Sequence, residues 1–424
     1  MKMTFFVALL CLFSIGQAHA SGFAVFTQGA RGLGQANAVV AHDTGASSLY
    51  FNPALLSRVS GLRVEAGTTM VYADREYTSS LIGITESGDE SARYPSHFYL
   101  TGQFSSNLSG GVGVFFPFGL STEWDSRWEG RYIATRSDLA TVNINPVLAW
   151  QVTDRISLAG GVDIIHLEAE LERQINSTAL GVVLNPPGGF GLLSDSGQMF
   201  SGDGWGIGYN LGLLVDIRQD LHFGATFRSH VDVAVDGDLD FSIPADAAML
   251  SAVLTDTTGH ADVRLPSQAT FGLAWDVTDQ LVMEVGARWE DWSSTGELRV
   301  RLDRPVLGQT YDVTPRGWDD TWAFNIGGSY RVNDSLILLA GYLYSDNPVP
   351  DSTFDPSIPD ADAHLFTLGA GITRGKWQFD LAYGFEHHPA REKNNLIGAA
   401  LGAAANGKYS SNIHLAAMSL GYRF

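Results

Sequence analysis

The chain has few cysteines, few basic residues and no long apolar run after its start, and each shortage removes a class of function. Its one cysteine, Cys11, lies within the first twenty residues, so a chain matured beyond that point has no disulfide, zinc–thiolate cluster or catalytic thiol. Lys and Arg number 26 against 46 Asp and Glu, a formal charge of −20, and this excess of acid argues against nucleic acid as a partner. Charged residues make up only 17%, too few for a disordered chain. Beyond residue 20 no apolar stretch approaches the roughly 20 residues of a membrane-crossing helix. Glycine is abundant, with 47 residues, and aromatics reach 11%, a balance that suits a β protein better than a helical one. The length of 424 residues permits several soluble domains or one large barrel.

The first twenty residues read as an export signal. Lys2 supplies the positive start, residues 5–16 the apolar stretch and Ala18-His19-Ala20 the small-x-small cleavage pattern. Leu10, immediately before Cys11, argues against lipoprotein cleavage. The expected organisation is a signal peptide over 1–20, a plug or hatch over 21–60 and a β-barrel over 61–424.

The remainder alternates with period two. Trp377, Phe379, Leu381, Tyr383 and Phe385 share one face, and Gln378, Asp380, Ala382, Gly384 and Glu386 share the other. Residues 281–290 and 269–276 repeat the pattern. Read this way the chain holds fourteen strands, at 61–76, 95–105, 109–121, 139–152, 156–172, 204–218, 221–237, 262–277, 281–297, 318–332, 336–346, 363–374, 377–388 and 409–424. Their links alternate between six tight turns and seven long loops. A soluble sandwich has no reason to sort its loops by parity, whereas transmembrane barrels have short periplasmic turns and long outer loops. The last strand ends on Phe424 in register with Ala416, Met418, Leu420 and Tyr422. Trp150, Trp275, Trp289 and Trp377 stand within or near strand ends, as interface girdles would place them. The fold class is therefore an all-β, 14-stranded antiparallel transmembrane barrel with an N-terminal luminal hatch.

Fourteen strands enclose a lumen that needs a plug, and residues 21–60 are enough for a small one. Both faces of 336–343 are apolar: Leu336, Leu338, Ala340 and Tyr342 against Ile337, Leu339, Gly341 and Leu343. An apolar interior suits an apolar cargo, and contact with the plug gives the same pattern. The loops over 178–200, 241–265 (with Ile243, Met249, Leu250, Val253 and Leu254) and 396–405 are apolar for surface segments, as binding surfaces or as a packed cover over the mouth. Pro117, in Phe116-Pro117-Phe118-Gly119, interrupts the third strand in a fold without free edges. It marks either a lateral opening or the top of the strand.

In this order along the chain, Ser21-Gly22-Phe23, Gly32-Leu33-Gly34, Asn52-Pro53-Ala54, Glu172-Arg173, Gly204-Trp205-Gly206, Phe227-Arg228-Ser229, Leu265-Pro266, Asn347-Pro348-Val349-Pro350 and Ile358-Pro359-Asp360 resemble the FadL-type outer-membrane transporters of long-chain fatty acids. The resemblance covers essentially the whole mature chain. It implies capture of a hydrophobic ligand by outer loops, passage to a luminal pocket and lateral release through the kinked third strand. It also implies roles: Phe23 gates the pocket, Asn52, Pro53 and Ala54 form the hatch motif, Pro117, Phe118 and Gly119 form the kink, and Arg173 contacts the carboxylate. Arg173 could instead pair with Glu168, Glu170 or Glu172. The family's second basic contact, a lysine, is absent, and the aligned stretch reads Val313-Thr314-Pro315-Arg316-Gly317. Arg316 is its candidate substitute; without one, a neutral hydrocarbon becomes the cargo.

The implied partners are a long-chain fatty acid or other hydrophobe, outer-membrane lipid and lipopolysaccharide, and the barrel-insertion machinery, with the protein a monomer. No cofactor or metal is expected. Gly402-Ala403-Ala404-Ala405-Asn406-Gly407-Lys408 resembles a phosphate loop, but Tyr409 replaces the magnesium-binding Ser or Thr. His387-His388 precedes Pro389 and reads as a strand cap. A lipase assembled from separate strands and an adhesion barrel without cargo are the competing classes.

Overall fold

The computed structural model describes residues 22–184, 191–402 and 404–424. The expected export segment over 1–20, with Cys11, lies outside the described residues, as does Ser21. Fourteen strands form one closed antiparallel barrel. They are β1 (Arg63–Ser79), β2 (Ser96–Gln103), β3 (Leu108–Phe115 and Gly119–Glu123), β4 (Arg136–Thr153), β5 (Ile156–Ile175), β6 (Ser196–Arg218) and β7 (Leu221–Arg228 and Val231–Ser242). The series continues with β8 (Thr257–Leu265 and Gln268–Asp276), β9 (Leu281–Glu290 and Glu297–Val306), β10 (Gln309–Pro315 and Thr321–Asn333), β11 (Leu336–Ser345), β12 (Ala363–Arg374), β13 (Trp377–Lys393) and β14 (Gly407–Arg423). β1 pairs with β14 from Arg63↔Arg423 to Ser79↔Gly407, which closes the sheet on itself and leaves no free end strand.

The alternation decides which way each residue faces. Leu148, Ile207, Tyr209, Leu338, Leu368, Leu381, Met418 and Leu420 stand exposed on the outer surface, the apolar band a bilayer requires. Trp150, Trp275 and Trp377 are exposed near strand ends. Inward positions meet the segment that precedes β1. That segment forms short helices at Ala30–Leu33 and Ser48–Phe51 and a 3₁₀ turn at Pro53–Arg58, most of it buried. Glycines on the wall admit its backbone: a Cβ on Gly224 would stand 2.1 Å from the Val40 carbonyl oxygen, and one on Gly327 2.1 Å from that of Gln35. Gly341 likewise faces Gln35, and Leu339 packs on Gly34. The apolar inner face of β11 is thus plug contact.

Two sequence readings are corrected, and a third is divided between its alternatives. The expected long loop over 298–317 is a hairpin: β9 and β10 continue upward, pairing Glu297↔Pro315 to Arg301↔Tyr311, and turn at Leu307-Gly308, both at positive φ. Beyond the bilayer the outer face no longer needs to be apolar, so Arg299, Arg301 and Asp303 point out while Val300 and Leu302 are buried. His387-His388 does not end β13, which absorbs Pro389 in a register shift between His388 and Arg391 and runs to Lys393. The apolar loops divide between the two expectations. Leu250 and Leu254 are buried in the cover, with Ile243 and Val253 packed against it, while Val183, Leu192 and Leu396 are largely exposed.

Candidate functional site

The site forms where the wall is incomplete. β2 has eight residues, against seventeen in β1, and pairs only with Arg63–Thr68 of its neighbour. Above it β1 and the upper part of β3 do not pair with each other: the β1–β2 connection runs along β1, with Thr85–Ser87 paired to Glu76–Thr78 and Arg93 bridged to Val71, and its backbone meets β3 where the Asp89 amide donates to the Glu123 carbonyl (2.8 Å). Pro117 cannot donate to a ladder, and β3 breaks between Phe115 and Gly119. The plug supplies the missing partners: the Val25 amide donates to the Pro117 carbonyl (2.9 Å), the Gly119 amide to the Phe23 carbonyl (2.9 Å) and Gln28 Nε2 to the Phe116 carbonyl (2.6 Å). Backbone groups in a membrane wall must be satisfied internally, and here a plug replaces a strand.

Phe23 is 9% exposed, and its ring stands edge-on to Trp292 at 4.7 Å, 6.0 Å from Phe118 and 6.0 Å from Trp318. Trp292 and Trp318 enter from the interruptions of β9 and β10. Two cavities meet here, and Phe23, Leu120, Asp138, Leu139 and Ile358 line both. One, of about 90 Å³, is lined chiefly by apolar groups including Leu120, Leu171, Phe200 and Trp318. The other, of about 520 Å³, runs from Phe23 and Phe26 past Phe118 to Tyr94 and Pro95. Tyr94 is 61% exposed and also borders an outward groove with Thr68, Met70, Tyr383 and Met418.

The two candidate arginines differ. Arg173 points inward at the upper end of β5, but its guanidinium donates to Asp312 Oδ2 (2.9 Å) and to Gln198 Oε1 (3.2 Å). Its counter-ion is therefore neither Glu168, Glu170 nor Glu172. Arg316 lines the smaller cavity and lies over the Trp318 ring at 5.4 Å. Among the described residues it makes no ion pair and its side chain no hydrogen bond, and burial pushes its pKa down. A cation so placed is stabilised by an anion. Asp355 is the carboxylate whose charge reaches Arg316, and it offsets the effect of burial only in part. On the larger cavity, Asp360 accepts the Gly22 amide (2.8 Å) and the Ala361 amide (3.0 Å), and burial pushes its carboxyl up to about 6.

Asn52, Pro53 and Ala54 lie deeper. Asn52 Nδ2 donates to the carbonyls of Val40 (2.7 Å) and Leu213 (3.0 Å), while its Oδ1 accepts the Ala54 amide, with Pro53 at the first position of the 3₁₀ turn. Glu284 receives the amides of Val40 (2.6 Å) and Ala41 (2.9 Å), and Arg31 pairs with Asp380 at 2.8 Å. The sequence reading gave Phe23, the kink, Arg316 and the hatch motif Asn52 to Ala54 separate roles; the structure brings Phe23 beside Phe118 and onto the cavity that Arg316 lines, and sets Asn52 to Ala54 apart from them. It missed Trp292 and Trp318, whose only signal was an aromatic beside a break in strand alternation.

A membrane-wide apolar barrel with its lumen filled by its own N-terminal segment belongs to the class of outer-membrane transport channels. The chain belongs to the family described as outer membrane protein transport protein (OMPP1/FadL/TodX), whose family model matches residues 11–424. It is an outer-membrane transporter for hydrophobic compounds, and its family is one of channels. It is 26% identical over 381 residues to a long-chain fatty acid transport protein of Escherichia coli O6:H1, covering 84% of each chain. It is also 26% identical to the 47 kDa outer membrane protein of Pasteurella multocida, covering 96% of this chain and 95% of the relative. In fold it is similar to a Pseudomonas aeruginosa FadL homologue, with a TM-score of 0.83, 19% identity and coverage of 95% and 100%. The toluene transporter TodX of Pseudomonas putida gives 0.72, 20%, and coverage of 93% and 98%.

Proposed function

We propose that this protein carries long-chain fatty acids passively across the lipopolysaccharide surface and releases them sideways into the outer membrane. The observation that carries the reading is the pair of cavities divided by Phe23, one with the unpaired cation Arg316 and the other reaching the exposed Tyr94. Exposed Val183, Leu192 and Leu396 capture the tail at the surface. The smaller chamber then receives its carboxylate end at Arg316. Displacement of residues 22–28 removes Phe23 from between the cavities and frees the kink at Pro117, Phe118 and Gly119. The tail leaves beside Tyr94 without meeting water, which keeps the apolar surface buried throughout. Arg173, with its charge met by Asp312, serves the rim of the mouth in this scheme.

The test is uptake of labelled oleate and toluene by cells lacking other hydrophobe channels, with the parent compared to Arg316→Gln and Arg173→Gln. Loss of one charge-assisted contact is expected to weaken oleate uptake about tenfold for Arg316→Gln, leaving toluene unchanged. Toluene uptake indifferent to both substitutions, with no oleate uptake by the parent, would move the cargo to neutral hydrocarbons.

A further inference from the structure

The upper edge of β3 has a regular series of backbone groups with no strand beside them, and each has found a different partner. The Gly119 amide is taken by Phe23 of the plug, and the Glu123 carbonyl accepts the amide of Asp89 from the β1–β2 loop (2.8 Å). Between them, the Ser121 carbonyl accepts a side chain: Arg75 reaches across from β1 and donates from Nη1 at 2.9 Å. Arg93, in the loop before β2, reaches the same residue from below and donates from Nε (3.0 Å) and Nη2 (2.6 Å) to Ser121 Oγ. A second tie holds Arg93 3.7 Å from Asp138 on β4. Arg75, Arg93 and Ser121 all line the larger cavity.

We propose that Arg75 and Arg93 form a side-chain lintel over the lateral opening and set the cross-section of the cargo that leaves through it. The inference rests on lateral release as read above. A ladder rung opens only when two strands part, which breaks neighbouring bonds together. An arginine rung opens by rotation of its own side chain, without moving the wall. The lintel is therefore the upper limit of the opening, as Phe116 and Phe118 are its lower limit. A slim alkyl chain passes beneath it, and a wide ring system requires it to lift. The acidic groups around the cavity have donors of their own: Glu386 is bonded to His388, Asp360 to two amides, and Glu123 and Asp138 to Arg136. Among the described residues, Arg75 has no carboxylate within ion-pair distance; Asp360 and Glu386 act on it only through space, so its release from Ser121 breaks no salt bridge.

The experiment compares uptake of oleate with that of a fatty acid carrying a terminal pyrene, by cells expressing the parent, Arg75→Met, Ser121→Ala or Pro117→Thr. Loss of the charged donor is expected to raise pyrenyl uptake about tenfold in Arg75→Met while oleate stays within about twofold. Ser121→Ala, which removes only the hydroxyl held by Arg93, should raise the same ratio less. Equal changes for both cargoes, or a ratio unmoved in both variants while Pro117→Thr lowers all uptake, would overturn the lintel and leave lateral release standing. Uptake of both cargoes unaffected by Pro117→Thr would instead sink lateral release, and the lintel with it. Heat-modifiable migration on gels checks that each variant has folded, and Ser121→Ala decides if Arg75→Met has not.

Discussion

Phe23→Ala separates the plug's two halves energetically. The ring is buried among Phe118, Trp292 and Trp318, so its removal leaves a cavity that a rigid wall fills poorly. Large-to-small changes of this kind cost about 3–5 kcal/mol, part of which is the edge-on aromatic contacts at roughly 0.5–1.5 kcal/mol each. The loss falls on a segment held otherwise by the Val25, Gly119 and Gln28 hydrogen bonds to the kink and the Gly22 bond to Asp360. Taking about 3 kcal/mol from its closed state raises the open population by about a hundredfold, up to full opening. The barrel is untouched, so global melting should move little. Hydrogen exchange should show protection lost over residues 22–28 and kept over 38–58, with uptake of both oleate and toluene increased. Phe23→Leu, which keeps most of the apolar volume, should give a smaller effect. Unchanged exchange at residues 22–28 together with unchanged flux would refute the assignment of Phe23 as the divider.

Two further outcomes test the anchors. Asn52→Ala removes a cap and two donors to buried carbonyls, so roughly 2–4 kcal/mol of local stability is expected to go, read as faster exchange at Val40 and over 53–58 with the barrel's melting unchanged. The Asp360 carboxyl is raised from 3.8 to about 6 by burial, so its stabilisation is complete below pH 4 and is lost as pH rises through 6, about 3 kcal/mol in all. Asp360→Asn, which keeps an acceptor for the Gly22 amide, should melt above the parent at pH 8 and with it at pH 4; an equal shift at both values would remove the titration from the account.

The barrel was legible because its signals are local and repeated. Alternation over 377–386 assigns two faces without reference to any other strand, and the parity of connections follows from a single membrane. The hairpin of β9 and β10 was hidden for the complementary reason. Its alternation is intact, but outside the bilayer the outward residues are Arg299, Arg301 and Asp303, and charge at every second position looks like a loop. Pro117 was visible as an interruption, and the structure holds a second proline, Pro146, inside β4 without a break, where Asn145 Nδ2 donates to the Val162 carbonyl (2.8 Å) beside it. The site was legible only where one residue carries its own meaning. Arg173 stands 139 positions from Asp312, and no sequence pattern reveals that its charge is already met. Arg316 is distinguished by a partner it lacks, which only the assembled cavity can show.

The arrangement answers a problem that closure creates. A barrel without edges has no way out through its side, and an open edge in lipid leaves backbone groups unsatisfied at several kcal/mol each. Here the edge exists, and its groups are satisfied by parts able to withdraw one at a time: the Phe23–Val25 strip, Gln28 and Arg75. The deeper plug is held differently, by Asn52 to β6, Glu284 to Val40 and Ala41, and Arg31 to Asp380, contacts spread around the barrel. Because the strip that covers the kink also carries Phe23, which lines both cavities, the proposed route makes unsealing the wall and joining the chambers one movement. In the proposed route the pinned remainder would keep the lumen blocked toward the periplasm during that movement, so that the cargo meets lipid and not an aqueous pore.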